Sequence, residues 1–193
     1  CGIPDSGVGH AIGYGNEKGV PNKRAYSKYT ATWPRSFLPA FQEQRDLVAR
    51  MKLIPNKAVI EGKKMIFIDD SIVRGTQLKD NTNDMRKCGA EELHMRIACP
   101  PLLYPCDFLN FTQSRTPMEL AARRAVKELG GDESELKEYS DPDSEKYGKM
   151  VAKIAENLEL DSLLYQRLDD LITAIGLPKE KLCTHCWDGT SYF

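Results

Sequence analysis

Two adjacent aspartates follow a short apolar run, and they are the first residues of this sequence that could do chemistry. The run covers residues 65–68, and Asp69 and Asp70 come directly after it. Paired carboxylates can accept hydrogen bonds from the hydroxyls of a sugar, or they can hold Mg²⁺ through their oxygens or through water. The pair therefore predicts a polar ligand at the end of a strand.

The segment after the aspartates has features that suit a phosphate group. It consists of Ser71, Ile72, Val73, Arg74, Gly75 and Thr76. Two hydroxyls and a glycine, which lets a backbone approach closely, lead into a predicted helix at residues 77–87. The free N–H groups at the start of a helix bind anions. The whole string predicts a site for a phosphorylated sugar, whereas an aspartate pair alone would favour an exposed turn.

The elements that position this site follow the order strand, loop, helix and strand. Residues 64–68 and 92–98 have the pattern of strands, and Gly89 stops the helix between them. This order is typical of a βαβ unit, so we predict an α/β fold with a parallel sheet. In such sheets ligands bind beyond the carboxyl ends of the strands, which is where the aspartates lie.

The rest of the chain also alternates between short strands and helices. Residues 2–4 are predicted to close a strand, and the following helix covers residues 7–18 and ends at Gly19. Residues 22–45 have no clear period and predict a long loop. Further helices are predicted at 44–53, 118–129 and 145–160, an exposed charged stretch at 130–146, and a strand or a helix at 162–175.

The composition excludes several classes of protein. The chain has 193 residues, 41% of them hydrophobic, and a formal net charge of −1. It has enough apolar residues for a core, but no basic field for nucleic acid and no apolar run long enough to span a membrane. Nothing indicates secretion, so we expect a cytoplasmic protein whose six cysteines do not form disulfides, and the CxxC near its end indicates metal or redox chemistry.

Several strings resemble one family, and they occur in the correct order. FIDDSIVRGTQ at 67–77 is similar to the phosphoribosyl pyrophosphate (PRPP) motif of the type I phosphoribosyltransferases, and the wording DDSIVRGT resembles that of the amidophosphoribosyltransferases. GIPDSG at 2–7, RMKLIPN at 50–56, VIEGKKMIFIDDS at 59–71 and CGAEELHMRIACPP at 88–101 agree with the same family. The resemblance covers roughly residues 1–120 and returns at the CxxC near the end.

The resemblance implies a type I phosphoribosyltransferase fold, with a parallel sheet flanked by helices and a cysteine-bearing C-terminal tail. It implies a core at residues 1–125 that is incomplete at its N-terminus, followed by a helical segment and tail at 126–193. Enzymes of this family make 5-phosphoribosylamine from PRPP in purine synthesis and are expected to be homo-oligomers. Their ammonia comes from glutamine in an N-terminal glutaminase domain, which we expect to precede this chain. Cys1-Gly2 resembles the start of that domain, but the next residues match an interior transferase strand.

The resemblance also assigns residues to the site. It places Mg²⁺ on Ser6, Asp69 and Asp70, and PRPP on residues 69–76. It requires no protein nucleophile, because Mg²⁺ and N–H groups placed at the leaving pyrophosphate supply the main stabilisation.

A loop that closes over PRPP departs from the family pattern here. The usual string resembles KNRYxxRTF, and the matching stretch is KYTATWPRSF at residues 28–37, which has one extra residue. Lys28, Arg35 and Lys52 are candidate contacts of pyrophosphate, since cations there would hold the leaving group. The alternative for each is an exposed surface cation.

The cysteines predict a second centre. Some members of the family carry a [4Fe–4S] cluster, and the resemblance places three of its ligands on Cys106, Cys183 and Cys186 and the fourth before residue 1. Thiolates suit such clusters, although a Cys-rich site can also take zinc. Cys88 and Cys99 are predicted to be small buried residues.

Two alternatives to the amidotransferase stay open. One is a regulator that senses PRPP on the same fold, although no DNA-binding motif is present. The other is a phosphoribosyltransferase that acts on a nucleobase, which the altered loop would allow.

Overall fold

A parallel sheet forms the centre of the protein. The computed structural model describes residues 1–28, 53–106, 108 and 117–190. Two short strands, β1 (Tyr26–Lys28) and β2 (Leu53–Pro55), pair in antiparallel orientation. Three further strands, β3 (Lys64–Asp69), β4 (Glu92–Ile97) and β5 (Ser162–Tyr165), form the parallel sheet in that order. The predicted α/β fold with a parallel sheet is confirmed.

Helices lie before, between and after these strands. They are α1 (Ser6–Lys18), α2 (Lys57–Ile60), α3 (Thr76–Lys87), α4 (Ala121–Glu128), α5 (Leu136–Ser140), α6 (Glu145–Asn157), α7 (Leu168–Ile175) and α8 (His185–Asp188), with 3₁₀ turns at Pro117–Glu119, Glu133–Glu135 and Lys179–Lys181. None of the helices in the described ranges has the length and apolar composition that a bilayer span needs.

The predicted βαβ unit brings the ends of β3 and β4 to one edge of the sheet. Asp69 pairs with Ile97 across the two strands. α3 begins at Thr76, and Gly89 follows its last turn with a positive φ of 88°. The strand and helix boundaries therefore agree with the prediction to within one residue.

The first residues of the chain lie beside β3. Gly2 bridges Ile68 in parallel orientation, and the N–H of Ile3 donates to the carbonyl of Ile68 at 2.9 Å. A Cβ atom on Gly7 would lie 2.1 Å from that carbonyl oxygen. Only glycine therefore allows α1 to start so close to the end of β3, and this packing carries Ser6 to the same edge as the aspartates.

The core lies between the sheet and the helices α3, α4 and α6. Met65 and Phe67 of β3, Met85 of α3, Ala125 of α4 and Ile154 of α6 belong to one buried cluster. Burying a large apolar side chain of this kind stabilises the fold by roughly 1.5–3 kcal/mol. The cluster therefore fixes the helices that follow β3 and β4 against the strands.

The charged stretch at 130–146 was wrongly predicted to be simply exposed. It contains a 3₁₀ turn and α5, and Leu136 and Tyr139 on α5 are buried. The many charges conceal two apolar residues three positions apart, a spacing that places both on one face of a helix.

The end of the chain also contributes to the sheet. Residues 162–175, predicted as a strand or a helix, form β5 and then α7, and β5 pairs with β4. The division of the chain at residue 125 stays a prediction. The predicted helix at 44–53 lies outside the described residues except for Leu53, which begins β2 instead of ending a helix. Most of the predicted loop at 22–45 also lies outside the described residues.

Candidate functional site

A cavity of about 590 Å³ opens at the carboxyl end of β3, where the sequence predicts a ligand. This volume is within the usual range for small-molecule sites. The residues that line it are Ile3, Pro4, Ser6, Leu53, Asp69, Ser71, Ile72, Val73, Arg74, Gly75, Thr76, Leu78 and Asn81. The cavity therefore combines the start of the chain, the segment after the aspartates and the first turns of α3.

Ser6 joins the two aspartates, although it is far from them in sequence. Its hydroxyl lies 3.2 Å from Oδ1 of Asp69 and 3.1 Å from Oδ1 of Asp70, so it can donate to either carboxylate. The backbone N–H of Asp70 also donates to Oδ1 of Asp69 at 3.0 Å. Three oxygen-bearing side chains thus meet at one point, which is the set that the resemblance assigned to Mg²⁺.

Burial and the neighbouring Asp70 carboxyl raise the pKa of Asp69. Burial is the largest cause and the neighbouring Asp70 carboxyl is the next, and together they raise the pKa of Asp69 from 3.8 to about 7. Two carboxylates this close cannot both ionise easily, because each negative charge disfavours the other. A proton or a cation between them relieves the repulsion, and an all-oxygen donor set of this size fits a hard divalent cation.

The protein is therefore expected to lose stability as pH rises through about 7 when no divalent cation is added. The pKa of Asp69 is higher in the folded protein than in the unfolded chain, so folding takes up a proton between these two values. This contribution to the free energy of unfolding is complete below the unfolded pKa of 3.8 and is lost as pH rises through 7. Thermal melting from pH 5 to pH 8 measures it, at about 2–4 °C per kcal/mol for a chain of this length.

Asp69→Asn is the matched control for this pH series, because asparagine keeps the shape and does not titrate. We expect the wild-type melting temperature to fall relative to that of the variant as the pH rises. Parallel curves for the two proteins would contradict the assignment of the raised pKa to Asp69.

The segment after the aspartates is anchored at Ile72 and turns at Gly75. Ile72 is buried in the core, while Ser71 and Thr76 line the cavity. Gly75 has a φ of 75° and precedes the first turn of α3. A Cβ atom at Gly75 would lie 3.2 Å from Cδ2 of Leu158, so both the backbone conformation and the packing favour glycine.

The predicted cations of the site are only partly described. The Lys28 ammonium lies 2.5 Å from Oδ2 of Asp5, next to Ser6, and does not line the cavity. Arg74 lines the cavity, but its guanidinium pairs with Glu119 at 2.6 Å. Arg35 and Lys52 lie outside the described residues, so their roles stay predictions.

Several residues that line the cavity were not singled out from the sequence. Leu78 and Asn81 lie three positions apart on α3, so helical spacing from the start of that helix could have indicated them. Leu53 reaches the cavity from β2, and no local pattern in the sequence indicates it.

The C-terminal tail returns to the segment that follows β4. The N–H groups of Leu103 and Tyr104 donate to the carbonyl of Cys186 at 2.9 and 3.1 Å. The thiol of Cys186 lies against that of Cys106 and near Cys183. The structure therefore brings together three cysteines that are separated by up to 80 positions, and none of the six cysteines forms a disulfide.

Burial and the neighbouring cysteines raise the pKa of Cys186 to about 12. Cys183 is exposed, Cys106 is buried, and Cys186 lies between these extremes. In the described ranges, no group of three or more His, Cys, Asp or Glu side chains is arranged to hold a metal ion. The three thiols are neighbours, but their present geometry is not that of a complete metal centre. Cys99 is buried, as predicted, whereas Cys88 is only half-buried at the end of α3.

Comparisons with known proteins find relatives of one kind among curated sequences, although they find no matching family model. The amidophosphoribosyltransferase of Methanocaldococcus jannaschii is 36% identical over 187 residues, which is 97% of this chain and 34% of that protein. Those of Mycobacterium tuberculosis and Synechocystis sp. are 36% and 34% identical, again over 97% of this chain and 32% of each relative.

Solved structures agree with these relatives. A structure described as the allosteric regulatory enzyme of purine biosynthesis has a TM-score of 0.74 and 29% identity, covering 99% of this chain and 36% of its own. Glutamine PRPP amidotransferase from B. subtilis, complexed with ADP and GMP, has a TM-score of 0.71 and 28% identity, covering 99% and 37%. This chain therefore spans about a third of the length of the proteins it matches.

Proposed function

Because the chain belongs to the amidophosphoribosyltransferase family and has the type I phosphoribosyltransferase fold, we propose that it binds PRPP and forms 5-phosphoribosylamine from PRPP and ammonia. The ammonia would come from glutamine, hydrolysed by a glutaminase domain of the complete protein. We also propose that the protein works in the cytoplasm as a homo-oligomer. The shared length of about a third of each relative is consistent with a further domain in the complete enzyme.

One observation carries this proposal: the carboxylate pair, the Ser6 hydroxyl and the segment 71–76 all border one cavity or meet at its edge. The ribose hydroxyls of PRPP have acceptors in Asp69 and Asp70. Its 5′-phosphate has N–H groups and the Thr76 hydroxyl at the start of α3, where the helix dipole favours negative charge. The cavity would therefore bind the ribose at the end formed by the aspartates and the 5′-phosphate at the end formed by the start of α3.

The reaction exchanges one bond at C1 of the ribose. The bond from C1 to the pyrophosphate oxygen breaks and its electron pair leaves with pyrophosphate. The lone pair of ammonia then forms the C1–N bond, and the nitrogen loses a proton. Positive charge develops on the ring, where the carboxylates would stabilise it, and negative charge develops on the leaving pyrophosphate, where cations would neutralise it. This reaction requires no nucleophile from the protein.

Mg²⁺ fits the oxygen donors at the end of β3. We propose that Ser6, Asp69 and Asp70 hold it, directly or through water, together with oxygens of PRPP. When bound, it would neutralise charge on the departing pyrophosphate. The shared hydroxyl and the raised pKa of Asp69 support this assignment, because both mark a place where negative charge lacks a partner.

A [4Fe–4S] cluster is a separate proposal for the C-terminal tail. The neighbouring thiols of Cys106, Cys183 and Cys186 support it, since clustered thiolates become stable only beside a cation. A [4Fe–4S] cluster usually has four cysteine ligands, so a further residue would have to supply the fourth. No step of the transferase reaction depends on it.

The transferase proposal is tested by offering two kinds of nucleophile. We expect the complete protein, with PRPP and Mg²⁺, to release pyrophosphate when ammonia is present, at a rate at least tenfold above that with any free purine or pyrimidine base. The reason is that ammonia is small enough to reach C1 without a base-binding pocket. Release of pyrophosphate is measured with a coupled assay, and the product is identified by trapping 5-phosphoribosylamine.

The other outcomes separate the alternatives. Turnover with a base but not with ammonia would establish a nucleobase phosphoribosyltransferase instead. Tight binding of PRPP without turnover on any nucleophile would support a PRPP-sensing regulator. Failure to bind PRPP would reject all three functions.

A further inference from the structure

The segment that binds phosphate in the proposed function is held from behind by the turn and helix at residues 117–128. The carbonyl of Val73 accepts a hydrogen bond from the N–H of Ala121 at 2.8 Å. The carbonyl of the next residue, Arg74, accepts one from the guanidinium of Arg124. Two consecutive carbonyls are therefore turned toward α4.

These two hydrogen bonds decide where the adjoining N–H groups point. In a trans peptide the C=O and N–H of one unit point in opposite directions. The unit that carries the Val73 carbonyl carries the N–H of Arg74, and the unit that carries the Arg74 carbonyl carries the N–H of Gly75. Arg74 and Gly75 line the cavity, whereas Ala121 and Arg124 do not. The two N–H groups consequently face the cavity, and in the described part of the chain neither donates to a partner.

Arg124 is itself fixed on the side away from the segment. Its Nη1 donates to the carbonyl of Glu119 at 2.8 Å and to that of Met118 at 3.4 Å, while its Nη2 donates to Arg74. One planar guanidinium thus connects the 3₁₀ turn before α4 to the phosphate-binding segment. The guanidinium suits this role because its N–H donors are held in one rigid plane. Once Nη1 is bound to the 3₁₀ turn, the direction in which Nη2 donates is fixed.

We propose that Arg124 is a positioning residue for the phosphate group of the substrate. It touches neither PRPP nor the carboxylates. It holds the Arg74 carbonyl away from the cavity, so that the N–H of Gly75 is presented to the 5′-phosphate before the ligand arrives. This inference rests on the proposed function for the identity of the ligand, but the ordering of the segment does not depend on it.

The binding test compares Arg124→Ala with a control on the same helix. Lys127→Ala removes one positive charge at an exposed position of α4, three residues further on. Calorimetry with ribose 5-phosphate, with PRPP and with magnesium pyrophosphate separates the two ends of the cavity. We expect Arg124→Ala to weaken the binding of ribose 5-phosphate and of PRPP by a similar factor, about five- to tenfold. The affinity for magnesium pyrophosphate should be unchanged. Lys127→Ala should bind all three as the wild type does.

Chemical rescue separates the loss of one guanidinium from a general loss of structure, because an added guanidinium compound can restore affinity only in the first case. Free methylguanidinium should restore part of the ribose 5-phosphate affinity of Arg124→Ala and have no effect on the wild type. Arg124→Lys keeps a positively charged donor but not the planar group with several donors. Its affinity for ribose 5-phosphate should lie between those of the wild type and Arg124→Ala. Equal weakening of all three ligands without rescue, or unchanged binding by Arg124→Ala, would overturn the positioning role.

A measurement without ligand keeps this inference separate from the proposed function. The ¹⁵N order parameters of the Arg74 and Gly75 N–H groups should be those of rigid backbone, about 0.85, in the wild type and should fall toward 0.6 in Arg124→Ala. If the wild type does not bind PRPP, the proposed function fails, and the order parameters still decide the role of Arg124. Rigid N–H groups in Arg124→Ala would reject it.

Discussion

Replacing Asp69 and Asp70 together by asparagine is expected to weaken PRPP binding in the presence of Mg²⁺ by at least tenfold, which is about 1.4 kcal/mol. Asparagine nearly keeps the shape of aspartate but removes its negative charge, so Mg²⁺ and its bound substrate lose their counter-charge. The Ser6 hydroxyl, which lies within 3.2 Å of both carboxylates, keeps acceptors in the amide oxygens. Calorimetric titration with PRPP at fixed Mg²⁺ measures the change.

The same variant should not be destabilised at neutral pH. In the wild type, burial and the neighbouring Asp70 carboxyl disfavour the charged form of Asp69 and raise its pKa, so neutral side chains at both positions remove this cost. If the aspartates serve binding, their replacement should reduce PRPP affinity while the melting temperature stays equal or rises, since functional sites commonly reduce stability. This combination separates a lost ligand contact from a damaged fold.

A double variant on the outer part of α3 is the matched control. Asp80→Asn combined with Asp84→Asn removes the same two negative charges from the helix that follows the site, and neither residue lines the cavity. It should bind PRPP as the wild type does. Equal binding by the Asp69/Asp70 variant and by this control would reject the carboxylate pair as the site.

The local part of the site could be predicted because its signals are contiguous. Strand β3, the aspartates, the segment 71–76 and helix α3 follow one another directly, and each has a pattern of its own in the sequence. The carboxyl end of a strand and the start of a helix meet wherever these elements are adjacent, so the position of the cavity follows from their order.

The distant contributions could not be derived from such patterns. Ser6 and Asp69 are 63 positions apart, and only the resemblance to a family joined them. Arg124 is 50 positions from Arg74, and in the sequence it is one of two adjacent arginines in a helix with many charges. Nothing local distinguishes an arginine that holds a carbonyl from one that faces solvent. Such long-range side-chain contacts are set by the packing of α4 against α6 and against the segment 71–76, which the sequence pattern does not specify.

The cluster proposal has the second large expected effect. The complete protein, purified without oxygen, should be brown and contain about four irons per chain, the count of a [4Fe–4S] cluster. Exposure to oxygen should bleach the colour and loosen the C-terminal tail, because the binding energy of a structural metal site is also folding energy. Iron and sulfide analysis, together with the visible spectrum, measures the first effect, and proteolysis of the tail measures the second.

The arrangement of the cysteines decides how this result should be controlled. Cys106 follows β4, whereas Cys183 and Cys186 belong to the tail that hydrogen-bonds back to Leu103 and Tyr104. Replacing Cys106 by serine should therefore remove the iron as completely as replacing the CxxC pair. Cys88→Ser changes a half-buried thiol at the end of α3 and should keep the full iron content. Stoichiometric zinc without iron or sulfide would reject the cluster and assign the same thiols to a tetrahedral zinc site.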